Sequence, residues 1–400
     1  MDYNKRVVIF GAGIVARGAI IALKADERFD NNNLIGCAVT NPSVNVSWLE
    51  GIRVRSIREY KGMKDLRILI SVTDKYVDEV ILLLEEMGFS DYGLLSIHNC
   101  VTLMESTWKK RNNKEIGVFI EKKQELEDLQ YLLFLSKQLK GDVLSFEVNL
   151  ANHCNLNCQC CNHFSPIAKK EFLDIKQYKN DILRLRELFG EEGIGRVMLL
   201  GGEPLLNRNI IEVMRLTREI MDKAVIYIIT NGVLLPKMEN DFWESCRELN
   251  IHIKFTRYPI NFDYDYWVDY ANKRGITMVD ETGEKVKSTY RLPFCERGGL
   301  DPIKNYMKCY HANQCIVLRD GRLYTCPMSA WITILNEKYK KTFPELKKNS
   351  IDIYNVRDKQ EIMDYLRKPV ELCKYCEIDN YQYEIPWGTS KREIGEWINI

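Results

Sequence analysis

Three closely spaced cysteines constrain this chain more than any other feature of its sequence. Cys154, Cys158 and Cys161 follow an apolar stretch and have the spacing C-x3-C-x2-C. Three thiolates on one loop can bind three irons of a [4Fe–4S] cube, because iron–sulfur clusters require soft thiolate ligands. The fourth iron would then keep an open coordination position. A zinc knuckle is the alternative, and its fourth ligand would be Cys160, His153 or His163.

The bulk properties indicate a globular protein of two or three domains. Of the 400 residues, 46% are hydrophobic and 28% are charged. The net charge of +1 argues against a broad nucleic-acid or anionic-membrane surface. Neither a signal peptide nor an apolar run of roughly 20 residues is found, so we expect a cytoplasmic protein.

The number of cysteines points to metal binding. A reducing cytoplasm does not keep structural disulfides, so the thirteen cysteines need another explanation. Cys37, Cys100 and Cys246 stand alone in apolar patterns, and we interpret them as small buried hydrophobic residues. The other cysteines fall into one tight group near 154–161 and a second group spread over 295–376.

Residues 1–105 alternate between strand and helix patterns, which predicts a Rossmann-like, doubly wound α/β domain. The strands are expected at 6–10, 34–40 and 67–72, with a helix at 75–87. Gly11, Gly13 and Ala16 fit the pattern G-x-G-x-x-G/A, in which backbone amides approach a phosphate at a helix N-terminus. Thr40 and Asn41 stand where an NAD-binding domain has an acidic residue. NAD(P), a nucleotide sugar or other nucleotide, and a purely structural role all remain open.

A second alternating series follows a predicted connecting helix at 106–142. Residues 143–290 alternate between strands and helices, which predicts parallel βα units in a closed or partial barrel. We expect strands at 144–149, 196–200, 224–229, 252–255 and 276–279, and helices that include 175–189 and 209–221. In such barrels the chemistry lies at the carboxyl ends of the strands.

Two motifs at those strand ends make residues 144–280 resemble the radical S-adenosylmethionine (SAM) superfamily. Gly201, Gly202 and Glu203 precede Pro204 in a GGEP motif after one strand, and Thr230-Asn231 follows the next. The resemblance implies a partial (β/α)6 barrel and a [4Fe–4S] cluster on Cys154, Cys158 and Cys161, whose open iron is chelated by SAM. It also implies that Gly201–Glu203 receive the SAM ammonium group and that Thr230 and Asn231 contact the ribose.

The later cysteines resemble the auxiliary-cluster region of the SPASM and twitch subfamilies. Cys309, Gly321 and Cys326 read C-x11-G-x4-C, and Cys373 and Cys376 form a C-x2-C pair. Asp320-Gly321 predicts a hairpin between short strands at 316–318 and 323–325. The resemblance implies a small C-terminal domain at 291–400 with a second [4Fe–4S] cluster on these four cysteines. Cys315 is an alternative to Cys309, and structural zinc remains an alternative metal.

The resemblance implies reductive cleavage of SAM and hydrogen abstraction from an unactivated C–H bond, with electrons from flavodoxin or ferredoxin. We expect the substrate to be a hydroxylated small molecule, a nucleotide-activated sugar or alditol of polysaccharide biosynthesis, attacked at a carbinol carbon. The outcome would be oxidation, dehydration or epimerisation. The alternatives are a SPASM-type peptide-modifying maturase and a non-catalytic iron–sulfur electron-transfer or sensor protein.

Three residues outside the motifs are further candidates for substrate contact. Arg257 and Tyr258 follow a barrel strand, and Cys295 could face the substrate or be structural. Two roles also remain open for the aromatic tail between Trp387 and Trp397: closure over the barrel mouth, or ordinary packing.

Overall fold

The computed structural model describes residues 5–42, 45, 48–73, 76–112, 125–139, 143–280 and 288–399. The chain divides into two compact units, Met1–Gly141 and Asp142–Ile400. The α/β fold class predicted from the sequence is confirmed, because each unit is built on a largely parallel sheet. Within the described part of the chain, no helix is long and apolar enough to cross a membrane.

The first unit contains a six-stranded sheet with the order β3-β4-β2-β1-β5-β6. The central strand β1 pairs in parallel with β2 on one side and with β5 on the other, which is the doubly wound arrangement. Its sequence RVVIF is buried after the first residue, as expected for a strand covered on both faces. The elements of this unit are β1 (Arg6–Phe10), α1 (Ile14–Ala25), β2 (Leu34–Val39), β3 (Trp48–Leu49), β4 (Ile52–Ser56), β5 (Leu66–Ile70), α2 (Val77–Glu86), β6 (Tyr92–Leu94), α3 (Ile97–Asn112) and α4 (Glu125–Leu139).

The turn between β1 and α1 requires glycine at its first position. Gly11 has a φ of +131°, and a Cβ placed there would lie 2.5 Å from the carbonyl oxygen of Ser71. Gly13 precedes α1 with no side-chain cap, and a Cβ there would meet nothing within 4 Å. Ala16 is fully buried beside this turn. The start of α1 therefore has open space beside its first turn.

The segment predicted to connect two domains forms part of the first unit. Helices α3 and α4 pack against each other and against α1, and the side chain of Leu132 lies within 2.8 Å of where a Cβ on Gly18 would stand. The absence of a side chain at Gly18 thus lets α4 approach α1 closely. Residues 113–124 and 140–142 of the predicted connector lie outside the described residues.

The second unit contains an eight-stranded sheet with the order β11-β10-β9-β8-β7-β13-β14-β15. Strands β7 to β11 are parallel to their neighbours, and β13 adds a sixth parallel strand beside β7 through the pair Val317–Glu147. The hairpin expected around Asp320-Gly321 is formed by β13 and β14, so it continues the barrel sheet. The elements of this unit are β7 (Leu144–Ala151), α5 (Ile175–Phe189), β8 (Ile194–Gly201), α6 (Ile210–Ile220), β9 (Val225–Thr230), α7 (Asn240–Glu248), β10 (Ile251–Phe255), α8 (Tyr264–Lys273), β11 (Met278–Asp280), β12 (Ser288–Arg291), α9 (Pro302–Lys308), α10 (Tyr310–Gln314), β13 (Val317–Arg319), β14 (Arg322–Tyr324), α11 (Pro327–Tyr339), β15 (Ser350–Asp352), α12 (Lys359–Leu366) and β16 (Gln382–Pro386).

The side chains of β7 are apolar on one face of this sheet and include polar residues on the other. Leu144, Phe146 and Val148 are buried in the core that contains residues of α5 and α6. Successive side chains of a strand point to opposite faces, so Glu147 and Asn149 lie on the inner face of the barrel. Both are buried. The inner face of the barrel is therefore polar along this strand.

Candidate functional site

The first cysteine group lies on the loop that leaves the carboxyl end of β7. The backbone takes positive φ values at Asn157 (51°) and Cys160 (56°), each directly before a cysteine of the motif. These turns fold the loop back on itself, and Cys154, Cys158 and Cys161 are all partly buried. The strand thus delivers the three thiols to the edge of the sheet where the chemistry was expected.

The two glycines of the GGEP motif allow this loop to lie against the end of β8. A Cβ on Gly201 would lie 2.3 Å from the carbonyl oxygen of Ala151, and one on Gly202 would lie 2.2 Å from that of His153. The amides of Gly202 and Glu203 donate to these same oxygens at 2.8 and 3.1 Å. Since backbone atoms cannot move aside, any larger residue at 201 or 202 would displace the start of the cysteine loop.

Glu203 is the buried acid that joins the ends of β8 and β9. Its side chain is fully buried and accepts hydrogen bonds from the amide of Leu205 (3.0 Å), the hydroxyl of Thr230 (2.7 Å) and the amide of Asn231 (3.0 Å). Burial raises the pKa of Glu203 to about 7, although these three hydrogen bonds act to lower it. A cation beside this carboxyl group would favour its ionised form.

Asn231 links this acid to the cysteine loop. Its side-chain amide donates to Oδ1 of Asn155 at 2.7 Å and lies 3.7 Å from Sγ of Cys154. The amide of Leu156 approaches the same sulfur at 3.5 Å. Burial raises the pKa of Cys154 to about 12, and nearby Glu203, Cys161 and Cys158 raise it further, whereas the Leu156 hydrogen bond lowers it.

Tyr258 lies close to the three thiols. Burial raises its pKa well above the ordinary value, and the charges of Cys158, Cys154 and Cys161, together with a hydrogen bond to Cys158, raise it further. The other candidate after this strand has a different environment. Arg257 pairs with Asp265 at 2.8 Å and with Asp280 at 3.0 Å. Tyr258 therefore joins the cysteine site, while Arg257 ties β10 to β11 and α8.

The C-terminal segment 386–398, which we call the strap, lies along the cysteine loop. The amide of Gln159 donates to the carbonyl oxygen of Gly388 at 2.9 Å, and that of Ser390 donates to the carbonyl oxygen of Asn157 at 2.7 Å. Farther along, the carboxylate of Glu396 accepts from the amide of Cys160 at 3.1 Å.

Two tryptophans of the strap donate directly to cysteine residues. The indole N–H of Trp387 donates to Sγ of Cys158 at 3.1 Å. That of Trp397 donates to the carbonyl oxygen of Cys161 at 3.0 Å. The structure therefore places the tail against the cysteine loop.

The four later cysteines predicted as ligands come together in the C-terminal part of the second unit. Cys309, Cys326, Cys373 and Cys376 are all buried. Burial raises the pKa of Cys376 well above its ordinary value, and the charges of the other three raise it further. The side-chain amide of Asn305 donates to the carbonyl oxygens of Cys373 and Cys376, both at 2.7 Å.

The proposed alternative ligand, Cys315, has a different environment. Burial is the main cause that raises its pKa well above the ordinary value. The charge of Glu147, a hydrogen bond to Glu147, and the charges of Cys326 and Cys309 raise the pKa further. Cys315 thus lies between the four later cysteines and the inner face of β7. Cys295 lies beside Cys373 and Cys376, since its amide donates to the carbonyl oxygen of Tyr375 at 2.8 Å.

Sequence reasoning missed Tyr290, which lies between the two cysteine groups. Burial is the main cause that raises its pKa well above the ordinary value, and the charges of Tyr381, Cys315 and Cys161 raise the pKa further. Its ring centroid also lies 5.1 Å from that of His311. No spacing rule would have found this residue, because its neighbours come from distant parts of the chain.

The donor set of the first cysteine group fits an iron–sulfur cluster. It offers three thiols, and N–H groups of Leu156, Asn231 and Trp387 point at two of the sulfurs, as hydrogen bonds to cluster ligands do. Among the residues that the structure describes, no three His, Cys, Asp or Glu side chains are placed to hold a single metal ion. In a cube, by contrast, each thiolate binds a different iron, so its ligands need not converge on one point.

Comparison with known proteins supports this interpretation over part of the chain. Residues 148–264 match the model of the radical SAM superfamily. A GTP 3',8-cyclase from Petrotoga mobilis is 34% identical over 90 residues, which cover 22% of this chain and 28% of that protein. Molybdenum cofactor biosynthesis protein 1 from Bos taurus is 29% identical over 121 residues, covering 29% of this chain and 18% of that protein. The chain thus matches less than a third of the length of either relative.

Solved structures show more distant similarity. The crystal structure of BtrN in complex with AdoMet and 2-DOIA is 22% identical, with a TM-score of 0.39, over 59% of this chain and 94% of that one. SuiB from Streptococcus suis bound to S-adenosylmethionine is 17% identical, with a TM-score of 0.26, over 48% of this chain and 49% of that one.

Proposed function

We propose that this chain, whose residues 148–264 match the radical SAM superfamily, is a radical SAM enzyme. It would remove hydrogen from a carbinol C–H of a hydroxylated small molecule. The substrate would be a nucleotide-activated sugar or alditol of polysaccharide biosynthesis. Oxidation, dehydration or epimerisation would follow. The reaction would take place in the cytoplasm, with flavodoxin or ferredoxin as the reductant.

The chain's own residues would hold and orient the cofactors. Cys154, Cys158 and Cys161 would bind a [4Fe–4S] cluster, which with SAM supplies a radical able to abstract hydrogen. Glu203 would pair with the SAM ammonium group, with Gly201 and Gly202 beside it. This proposal rests on the burial of the Glu203 carboxyl group and on its position between the ends of β8 and β9. An ammonium group there would lower the raised pKa of Glu203 and keep the carboxylate ionised.

Thr230 and Asn231 would lie beside the SAM ribose. The Thr230 hydroxyl already donates to Glu203 and accepts from the amide of Gly232. Asn231 donates through its side chain to Asn155. These contacts would therefore fix the shape of the strand end on which SAM rests, in addition to any contact made with SAM itself.

The observation that carries the substrate class is the buried amide of Asn149. This side chain lies on the inner face of β7, two residues before the strand ends and five before Cys154. Within the described residues, neither its nitrogen nor its oxygen has a hydrogen-bond partner, although both are buried. Such a group is normally satisfied. A substrate hydroxyl group could satisfy both atoms, because it is at once a donor and an acceptor.

The auxiliary cysteines favour an oxidative outcome, since a second cluster could accept an electron from the substrate. We propose Cys309, Cys326, Cys373 and Cys376 as its ligands because Cys376 lies among the other three. Cys315 is the weaker candidate, since it is hydrogen-bonded to Glu147. Measuring iron in a Cys154→Ala/Cys158→Ala/Cys161→Ala variant would test the second cluster. About four irons per chain should remain, and their absence would contradict it.

The first unit would bind a nucleotide or nucleotide sugar at the start of α1. The open space at Gly13 and the uncapped first turn support this proposal. A nucleotide sugar should then raise the melting temperature of the whole chain, because a ligand of the folded state stabilises it by mass action.

Two substitutions at Gly13 make that test specific. Gly13→Asp should abolish the shift, because a carboxylate at the start of α1 would repel a phosphate, while Gly13→Ala should retain most of it. A shift that persists in Gly13→Asp would contradict this site.

The decisive test of the substrate class uses candidate compounds labelled with deuterium at carbinol carbons. Anaerobic protein with its clusters assembled would be given SAM, a strong reductant and a panel of nucleotide sugars and alditols. We expect one of them to increase the formation of 5′-deoxyadenosine and to transfer deuterium to it. If only peptides have this effect, a peptide-modifying enzyme replaces the proposed function.

A further inference from the structure

We propose that Trp387 tunes the reduction potential of the cluster by donating the hydrogen of its indole nitrogen to the sulfur of Cys158. This inference rests on the proposed function, since it requires a cluster on Cys154, Cys158 and Cys161. Trp387 is a positioning residue in this proposal, because it acts on the cluster through its ligand.

The contact between Trp387 and Cys158 is close and joins distant parts of the sequence. The indole nitrogen lies 3.1 Å from the sulfur, and the two residues are 229 positions apart. Two N–H groups that approach the sulfur of Cys154 are farther away, with Leu156 at 3.5 Å and Asn231 at 3.7 Å. An indole N–H can only donate, so its direction toward the sulfur is fixed by chemistry.

The surroundings hold Trp387 in this orientation. Its ring meets that of Tyr258 edge to face, with the centroids 5.8 Å apart. On either side of it the backbone of the strap is tied to the cysteine loop: the side-chain amide of Gln159 donates to the carbonyl oxygen of Pro386 at 2.8 Å, and its backbone amide donates to that of Gly388 at 2.9 Å. The backbone at Trp387 is thus held against the cysteine loop, and an indole that turned away would also lose its contact with Tyr258.

The electronic consequence has a definite sign. A hydrogen bond to a thiolate withdraws negative charge from the sulfur, and reduction adds one electron to the cluster. The bond is therefore stronger in the reduced state, so it raises the reduction potential. Since SAM cleavage begins with that electron, Trp387 would set how readily the cluster is reduced.

The chain offers a matched control within the same strap. Trp397 also donates its indole N–H to the loop, but to the carbonyl oxygen of Cys161 instead of a sulfur. Trp387→Phe and Trp397→Phe are the same chemical change, and each removes one hydrogen bond between strap and loop. Only the first removes a bond to a ligand sulfur atom.

The experiment is a redox titration by EPR in SAM-free, anaerobically reconstituted protein. The signal followed is that of the cluster on Cys154, Cys158 and Cys161, identified by its loss in the Cys154→Ala/Cys158→Ala/Cys161→Ala variant. The midpoint potential of Trp387→Phe should shift to a more negative value, while that of Trp397→Phe should remain at the wild-type value. An unchanged potential in Trp387→Phe, or an equal shift in both variants, would overturn the proposal.

A second measurement does not depend on the folding of any variant. Wild-type protein with 15N-labelled tryptophan should show a 15N hyperfine coupling to the reduced cluster, because one indole nitrogen lies next to a ligand sulfur. The absence of this coupling would overturn the proposal even if Trp387→Phe fails to fold. Failure of the proposed function is distinguishable, because it would appear as a lack of deuterium transfer to 5′-deoxyadenosine, whereas the potential and the coupling are both measured without SAM or substrate.

Discussion

Replacing Glu203 by glutamine tests the centre of the proposed cofactor site. The carboxylate receives three hydrogen bonds, two of them from the backbone amides of Leu205 and Asn231. These two amides point at different oxygens of the side chain. Glutamine has the same shape but only one oxygen, so in either orientation one of these buried amides faces an NH2 group and loses its partner.

The expected loss of stability follows from this count. An unsatisfied buried N–H costs about 1–3 kcal/mol, and the remaining hydrogen bonds lose the strength that a charged acceptor gives them. The raised pKa of Glu203 shows that burying the charge is itself unfavourable, so the amide recovers part of the loss. We therefore expect a net loss of about 2 kcal/mol at pH 8, which in a unit of this size lowers the melting temperature by roughly 4–8 °C.

Asp181→Asn is the matched control. Asp181 is a second buried carboxylate with three donors, namely Nε2 of Gln177 at 2.8 Å, the amide of Gly321 at 2.9 Å and the hydroxyl of Tyr354 at 2.7 Å. Its donors come from α5 and from the region of β14 and β15, and none of them is a residue of the cysteine loop. Both variants should therefore lose similar stability by differential scanning fluorimetry.

Only Glu203→Gln should also weaken SAM binding, by about tenfold or more, because a charge-assisted hydrogen bond contributes roughly 1.5–3 kcal/mol. Anaerobic equilibrium dialysis with SAM measures this effect. Wild-type affinity in Glu203→Gln, or an equal loss in both variants, would refute the assignment of Glu203 to the SAM ammonium group.

Two further predictions concern the packing of the loop and the response to acid. Gly202→Ala should lower the iron content of reconstituted protein severalfold, because its Cβ would lie 2.2 Å from the carbonyl oxygen of His153. Gly395→Ala is the control and should bind iron normally, because a Cβ there would meet nothing within 4 Å. Equal iron in both variants would contradict the packing argument. Burial lowers the pKa of His252 to about 4, and the charges of Arg218 and Lys254 act in the same direction. Between pH 6.5 and 4 the unfolded state therefore binds more protons than the folded state. The free energy of unfolding consequently falls as the pH falls through this range. In His252→Gln the free energy of unfolding should not show this acid-dependent decrease, which amounts to up to about 3 kcal/mol across the range. Urea unfolding at several pH values measures it. A variant whose stability falls as steeply as that of the wild type would show that this histidine is not buried in its neutral form.

Local elements were predictable from the sequence because each carries its own periodicity. The helix over Ile175–Phe189 was predicted with the bounds that the structure shows, since its apolar residues recur at helical spacing. The turn at Asp320-Gly321 was predicted from its residue types, and both residues have positive φ. The order of cysteines, glycines and Glu203 along the chain also indicated which strand ends form the site.

Contacts between distant segments were not predictable in this way. Strand β13 joins the barrel sheet beside β7, although its sequence indicated only a short hairpin. The helices α3 and α4 pack on α1, where the sequence suggested a connector. Trp387 and Trp397 looked like any aromatic tail, because nothing near them in sequence shows that their partners are Cys158 and Cys161.

The central claim is that three cysteines and Glu203 form a site that cleaves SAM, and one assay tests it directly. Anaerobically reconstituted wild-type protein, given SAM and dithionite, should produce 5′-deoxyadenosine and methionine, while the Cys154→Ala/Cys158→Ala/Cys161→Ala variant should produce neither. Wild-type protein that retains its reduced cluster, as shown by EPR, and yet forms no 5′-deoxyadenosine would contradict the claim.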